Sequence, residues 1–310
     1  MRVVVTGGAG FIGSAFINHL LDNHNCEVLC VDKLTYAGRK TNIKHDVLFL
    51  QKDICDVTSE DLGEFDYIVH FAAESHVDNS ISNGLPFVKT NVEGTFNLLE
   101  ISRKNKNLKK FIHISTDEVY GDMEDYTWSP NHIAQEGDRL NPSSYYSATK
   151  AASDILVLSA NRTYGLPYLI TRTCNNFGEH QFEEKFLPTI AKSIKEDKPI
   201  PVYGDGEQIR EWMYVYDNVK VICDLMFDDD VINEIMNIGT GFRITNLNII
   251  NKIATVLNSD VNVKHVEDRL GHDRKYALDS KKMNWYYINK KKKVEFKKLF
   301  DYLDEHYGKK

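Results

Sequence analysis

The chain has 310 residues, 42% of them hydrophobic, with 45 acidic side chains against 38 Lys and Arg and a formal net charge of -7. That length suits one large domain or a main domain with a smaller lobe, and the negative balance argues against a nucleic-acid surface, which needs clustered Lys and Arg. Cys26, Cys30, Cys55, Cys174 and Cys223 form no CxxC pair, and no apolar run approaches the ~18 residues of a membrane span. A cytoplasmic protein without signal peptide, membrane or metal is therefore expected.

Val3-Val4-Val5 form a β-branched run that enters Gly7-Gly8-Ala9-Gly10-Phe11-Ile12-Gly13 and then a helical pattern through Ala15, Phe16, His19, Leu20 and Leu21. This reads as strand, glycine turn and helix. Gly7, Gly10 and Gly13 allow a tight turn and close backbone approach, and the helix N-terminus offers N–H groups to a pyrophosphate. A second strand, Glu27 to Val31, ends in Asp32, placed to accept hydrogen bonds from adenosine ribose hydroxyls and to repel a 2′-phosphate. NAD is expected over NADP, although Lys33 and Arg39 stand nearby.

The rhythm continues with Val47 to Leu50 leading to Asp53-Ile54, and Tyr67 to Phe71 leading to the small pair Ala72-Ala73. A helical pattern from Val88 to Lys104 sets Val92, Phe96, Leu99 and Ser102 on one side. Then come a strand, Phe111 to Ile114, with His113 as a core residue, a helix with Tyr146 and Lys150, and a strand, Tyr168 to Thr171. Strands alternating with helices predict a Rossmann-type, doubly wound parallel sheet of α/β class. In that sheet Thr116, Asp117 and Glu118 end a strand over the ligand crevice. Tyr146 and Lys150 lie one helical turn apart, and a nearby cation favours phenolate, so the pair reads as a general base.

After Asn175-Asn176 the pattern changes, with Pro188, Pro199 and Pro201 punctuating short segments. The expected division is a cofactor-binding Rossmann domain over 1–180, rejoined by apolar segments near 212–240, and a smaller, mixed substrate lobe over 181–310. The basic run Lys290 to Lys293 is read as a solvated face.

With the glycine turn, Thr116-Asp117-Glu118 and Tyr146-x-x-x-Lys150 in place, the chain resembles the extended short-chain dehydrogenase/reductases and, within them, the dTDP-glucose 4,6-dehydratases. Further matching motifs are Asp32 to Gly38, Ala72 to Asp78, Ser115 to Gly121, Asn175 to Gly178 and Gly271 to Arg274. Sister epimerases and reductases share the turn and the Tyr-Lys pair but usually carry small residues where Asp117 and Glu118 stand. The second lobe departs from the family at Leu270, where proline is usual, and at Gly241-Phe242-Arg243.

The resemblance implies an NAD-dependent hydro-lyase that converts dTDP-glucose or UDP-glucose to the 4-keto-6-deoxy sugar and keeps its NAD between turnovers. Tyr146, its pKa lowered by Lys150, would take the 4-hydroxyl proton, and Thr116 would bond the same oxygen. Glu118 would remove the C5 proton, and Asp117 would protonate the C6 hydroxyl as it leaves. The implied cofactor contacts are Phe11, Ile12, Asp32, Lys33, Thr35, Asp53, Ile54, Ala72, Ala73, Thr90, Tyr146, Lys150 and Asn176, beside the glycines of the turn. The implied substrate contacts are His76, Asn175, Lys185, Phe186, Pro201, Tyr203, Arg210, Asn246 and His272. A homodimer through a four-helix bundle is implied as well. The alternative readings are a UDP-N-acetylglucosamine 4,6-dehydratase, a nucleotide-sugar 4-epimerase and a catalytically silent NAD sensor.

Overall fold

The computed structural model describes residues 1–125, 129 and 131–308. Among them the strands are β1 (Arg2–Thr6), β2 (Glu27–Val31), β3 (Leu48–Leu50), β4 (Tyr67–His70), β5 (Lys110–Thr116), β6 (Tyr168–Thr173), β7 (Asn175–Phe177), β8 (Ile200–Tyr203), β9 (Ile209–Tyr214), β10 (Glu234–Ile238), β11 (Arg243–Thr245) and β12 (Val263–Val266). The main sheet runs β10-β6-β5-β4-β1-β2-β3. Every pair in it is parallel. This is the expected Rossmann architecture, and the strand order reverses at β1 and β4, where the carboxyl ends of the strands open a crevice.

Alternation along the strands supplies two cores. Val3, Val5, Val69 and Ile112 pack with Phe16 and Leu20 of the helix Phe11–Asn23 and with Val219 and Ile222 of the helix Val215–Met226. On the opposite face Val4, Ile68, Phe111 and Ile170 pack with Leu98 and Leu99 and with Val157 of the tyrosine helix, Tyr145–Tyr164. Ser144 starts that helix with a capping box to Ser147, and Gly165 ends it in the left-handed region. β7, β9 and β11 form a small mixed sheet and β8 pairs with β12. Phe177, Trp212, Ile249, Ile253 and Leu303 make a third core under these strands. Met236-Asn237-Ile238 lies in β10 of the main sheet, whereas Trp212-Met213-Tyr214 lies in β9 of the small one.

One expected stripe is displaced. The run before Arg103 is a π-helical stretch, Val88–Gly94, and then an α-helix, Thr95–Ser102. The wider π turn rotates the α-helix relative to a uniform 3.6-residue period, so Asn91, Thr95, Leu98, Leu99 and Ser102 are buried while Phe96 is 53% exposed. Asn91 uses its inward position to bond the backbone of Glu74 at 2.8 and 3.0 Å and Thr149 Oγ1 at 2.9 Å. Lys110 is another buried polar residue, and its ammonium donates to the carbonyls of Leu225, Met226 and Asp228, each at 3.0 Å, closing the C-terminus of the helix before them.

His70, on β4, shares hydrogen bonds with Thr6 Oγ1 at 2.7 Å and Thr95 Oγ1 at 2.9 Å. Burial, with the Lys150 charge, pushes its pKa down to about 3. The unfolded chain therefore binds a proton below about pH 6.5 that the fold refuses, and this contribution to stability is lost as pH falls. His70→Gln is expected to be less stable than wild type at pH 7.5, and the gap should narrow by about 2 kcal/mol at pH 5 in urea unfolding. A gap independent of pH would contradict the buried neutral imidazole.

Candidate active site

The glycine turn builds the first wall of the crevice. Gly7 has φ +69, and a Cβ there would stand 2.5 Å from the backbone nitrogen of Ala72. A Cβ on Gly13 would stand 2.2 Å from Gly7 O, so both positions require glycine for close packing. Gly10 caps the following helix without a side-chain bond, which leaves first-turn N–H groups facing the crevice. The Asp32 carboxylate accepts N–H bonds from Ala9 at 3.0 Å and Leu34 at 2.8 Å, which fixes it at the end of β2. Lys33 lies 3.5 Å from Asp53, 3.5 Å from Glu74 and 3.3 Å from Thr90 Oγ1. A side-chain-free cradle at a helix N-terminus, with a fixed carboxylate one strand away, fits a dinucleotide with unphosphorylated ribose.

β5 ends at Thr116, and Asp117–Tyr120 continue as one 3-10 turn. Thr116 Oγ1 accepts the Glu118 N–H at 3.3 Å and donates to Asp117 Oδ1 at 3.2 Å. Asp117 is 4% exposed, and among the described residues its Oδ2 has no hydrogen-bond partner. Burial first, then the charges of Glu118 and Glu211, hold its pKa well above the usual carboxylate range, so it keeps its proton. Glu118 also rises by burial, but Arg210, Lys185 and Arg269 pull it back to about 7. Adjacent carboxyls thus stand in different protonation states near neutrality.

The tyrosine helix brings Tyr146 and Lys150 to the same cleft, about 330 Å³ in volume. Its walls include Thr116, Asp117, Glu118, Tyr146 and Lys150 together with Gly7, Gly10, Phe11, Ile12, Gly13, Asp32, Lys33, Thr35, Asp53, Ile54, Ala72, Ala73, Thr90 and Asn176. The expected electrostatics of the Tyr-Lys pair need correction. Burial, then Glu118, raise the Tyr146 pKa, and only the Thr116 hydrogen bond opposes them. Lys150 donates to Ile114 O at 2.6 Å, and its own pKa falls to about 8 by burial despite Asp154. Burial and Glu118 therefore favour the neutral phenol at Tyr146 in the protein alone.

The sequence profile of the NAD dependent epimerase/dehydratase family matches residues 3–239. The chain belongs to this family. It is 44% identical over 290 residues to the low-salt glycan biosynthesis protein Agl12 of Haloferax volcanii, covering 91% of each chain. It is 40% identical to the dTDP-glucose 4,6-dehydratase of Salmonella typhimurium over 92% of this chain and 86% of that one. The crystal structure of DesIV, a dTDP-glucose 4,6-dehydratase from Streptomyces venezuelae with NAD and TYD bound, superposes with a TM-score of 0.90 at 38% identity, covering 98% of this chain and 95% of that one.

In this epimerase/dehydratase the proposed substrate residues divide. Asn175 and Lys185 line the cleft, and Lys185 donates to Ser75 O at 3.3 Å. His76, Phe186, Pro201, Tyr203, Arg210, Asn246 and His272 lie outside its lining. Arg210 stands close enough to pull down both carboxyls, and it rests over the Tyr276 ring at 4.2 Å while donating to Asp273 O at 2.8 Å. His272 meets Asp268 at 2.7 Å and the edge of Tyr203 at 6.2 Å. His76 lies 3.9 Å from Glu184, with a pKa lowered mainly by burial. Phe186 stacks on Trp212 at 6.3 Å, Asn246 donates its N–H to Gln208 O at 3.1 Å, and Pro201 is exposed beside β12.

Sequence reasoning passed over Glu74, Cys174, Gln181 and Phe182, which also line the cleft. It also missed Arg269, whose guanidinium donates to Asp78 at 3.0 Å and covers Tyr203 at 4.9 Å. Arg269 lies two residues before the Gly271 motif, so its signal was adjacent. Phe182 carried none, because its ring partner Tyr36, at 5.5 Å, comes from another part of the chain. Among the described residues no His, Cys, Asp or Glu group could hold a metal, and no helix is long and apolar enough to cross a membrane.

Proposed function

We infer that the protein is a nucleotide-sugar 4,6-dehydratase acting on dTDP-glucose, in which residues 1–180 with β10 hold NAD and the lobe over 181–310 holds the nucleotide sugar. The observation that carries this reading is the Asp117-Glu118 pair, one proton-bearing and one titrating near neutrality, in the same cleft as Tyr146 and Lys150. An epimerase needs no acid and base for the loss of water. The free cysteines support a cytoplasmic enzyme.

The glycine turn, Asp32 and Lys33 hold the dinucleotide, and Tyr146 and Lys150 border its reactive end. When bound, oxidised NAD would accept the hydride from C4 and, once reduced by it, return that hydride to C6, and its positive charge would favour a Tyr146 phenolate. With that charge beside it, Tyr146 would first release its phenol proton to solvent and then, as phenolate, take the proton from the sugar 4-hydroxyl, with Thr116 bonded to the same oxygen. The resulting 4-ketone acidifies the C5 proton, which Glu118 removes. Asp117 gives its proton to the C6 hydroxyl, which leaves as water, and Glu118 would return its proton to C5 as the hydride reaches C6. Arg210 and Lys185 provide cations for a diphosphate in a chain of negative net charge.

The test is to incubate the purified protein without added NAD with dTDP-glucose, UDP-glucose and UDP-N-acetylglucosamine in turn, and to follow product mass. Loss of one water supports a dehydratase with retained cofactor, and relative rates assign the nucleotide and sugar. No mass change, even with NAD supplied, overturns the reading.

The enzyme is further read as a homodimer. Phe96, Tyr145, Ile155 and Tyr164 expose 53%, 63%, 56% and 58% of their surfaces on the adjoining helices Thr95–Ser102 and Tyr145–Tyr164. Exposed apolar side chains on two adjoining helices suit burial against a second copy of the chain. Light scattering is expected to give the mass of two chains for wild type and of one for a Phe96→Asp, Ile155→Asp double variant. A monomeric wild type would contradict it.

A further inference from the structure

Behind the cleft runs a chain of buried polar side chains that the reaction as described does not use. Arg172, on β6, is 2% exposed and Asp154, on the tyrosine helix, is fully buried. Arg172 Nε donates to Asp154 Oδ2 at 2.9 Å, and Nη1 donates to the Tyr120 hydroxyl at 2.8 Å and to Glu136 O at 3.2 Å. The Tyr120 hydroxyl in turn donates to Asn237 Oδ1, on β10, at 2.7 Å. Asp154 Oδ1 faces His113 Nε2 at 3.5 Å, and among the described residues it has no hydrogen-bond partner within ordinary distance.

The two ends of this chain are the two halves of the candidate machinery. Asp154 follows Lys150 by four residues, on the same helix face. Tyr120 belongs to the same 3-10 turn as Asp117 and Glu118. The guanidinium between them can bond both because its donors form a rigid planar fork, which a lysine lacks. A buried ion pair seldom adds net stability over an apolar replacement, since desolvation offsets the attraction. The pair's hydrogen bonds therefore fix position more than they add stability.

Resting on the dehydratase reading, we propose that Asp154 and Arg172 are positioning residues, which lock the Lys150 helix and the Asp117–Tyr120 turn in one register, with Asp154 as the counter-charge behind the Lys150 ammonium. The groups that face Lys150 are Asp154 on its own helix, His70 on β4, His113 on β5, and, beyond Asp154, Arg172 on β6. Both imidazoles are held neutral, chiefly by burial. Asp154 is the member of this group that raises the Lys150 pKa, against the downward effect of burial. Its own carboxyl is pushed up by burial and drawn back by Arg172, by Ser115 and by Lys150.

The test compares NAD-loaded wild type with Asp154→Asn and Tyr120→Phe, reading kcat and KM for dTDP-glucose across the pH range. Asp154→Asn is expected to lower kcat by roughly ten- to a hundredfold with KM nearly unchanged, and to move the alkaline limb to lower pH. Tyr120→Phe is expected to lower kcat with that limb in place, because it frees the turn but leaves the counter-charge. An unmoved limb in Asp154→Asn, or an unchanged kcat in Tyr120→Phe, overturns the proposal, and the latter variant deletes one oxygen only, so it serves if Asp154→Asn does not fold. A nitrogen-15 NMR titration of Lys150 needs no turnover. A lower midpoint in Asp154→Asn supports the counter-charge even if wild type proves inert on every nucleotide sugar, an outcome that would sink the dehydratase reading instead. An unchanged midpoint overturns the counter-charge.

Discussion

Glu118→Gln is expected to abolish loss of water from dTDP-glucose and, at the same time, to make the protein more stable at pH 8. Glutamine keeps the shape but cannot take a proton from C5, and losing a positioned base costs about 10²–10⁴-fold. The stability gain comes from the raised pKa of about 7. The fold binds the Glu118 proton more tightly than the unfolded chain does, so that contribution is complete below the ordinary carboxyl pKa and lost as pH rises through 7. At pH 8 the ionised, desolvated carboxylate therefore costs roughly 2–3 kcal/mol, which the amide avoids. Urea midpoints of both proteins at pH 8 and pH 5 check this, since the advantage of the variant should shrink at the lower pH. A variant equally destabilised at both values would contradict a strained base, and unimpaired turnover would remove Glu118 from the reaction.

Asp117→Asn is expected to stop turnover by a similar factor at a different step. Asp117 keeps its proton because burial and two neighbouring carboxylates disfavour its charge, and its unpartnered Oδ2 is available to a leaving hydroxyl. Without that acid the sugar can still be oxidised at C4, and Glu118 can still remove the C5 proton. In deuterated water the Asp117→Asn protein should therefore exchange the C5 hydrogen of dTDP-glucose without releasing the 6-hydroxyl. Glu118→Gln should do neither. Identical exchange in the two variants would mean that the carboxyls do not divide the roles of acid and base.

Much of the site was legible because its signals are local. The glycine turn, Asp32 at the end of the next strand and Thr116-Asp117-Glu118 at the end of β5 depend on backbone geometry within a few residues. The parallel sheet was readable from alternating strand and helix patterns, since each crossover helix must carry the chain back to the end of the sheet where the previous strand began. The features that stayed hidden were set by other parts of the chain. Phe96 faces solvent because a π turn upstream shifts the helical phase, which a period of 3.6 cannot register. The Tyr146 phenol is held protonated by burial and by Glu118 on the turn after β5, while Lys150 commits a proton to the Ile114 carbonyl. Arg269 and Asp78 are 191 residues apart in sequence, so no window could join them.

One hydrogen atom separates dehydration from epimerisation. dTDP-glucose carrying deuterium at C4 is converted by the purified protein, and the product is read by NMR and mass. The proposed reaction places that deuterium at C6 of a 4-keto-6-deoxy sugar, on the molecule that began with it. Deuterium found back at C4 of an unreduced-mass sugar with its 4-hydroxyl inverted would mark an epimerase and contradict the account.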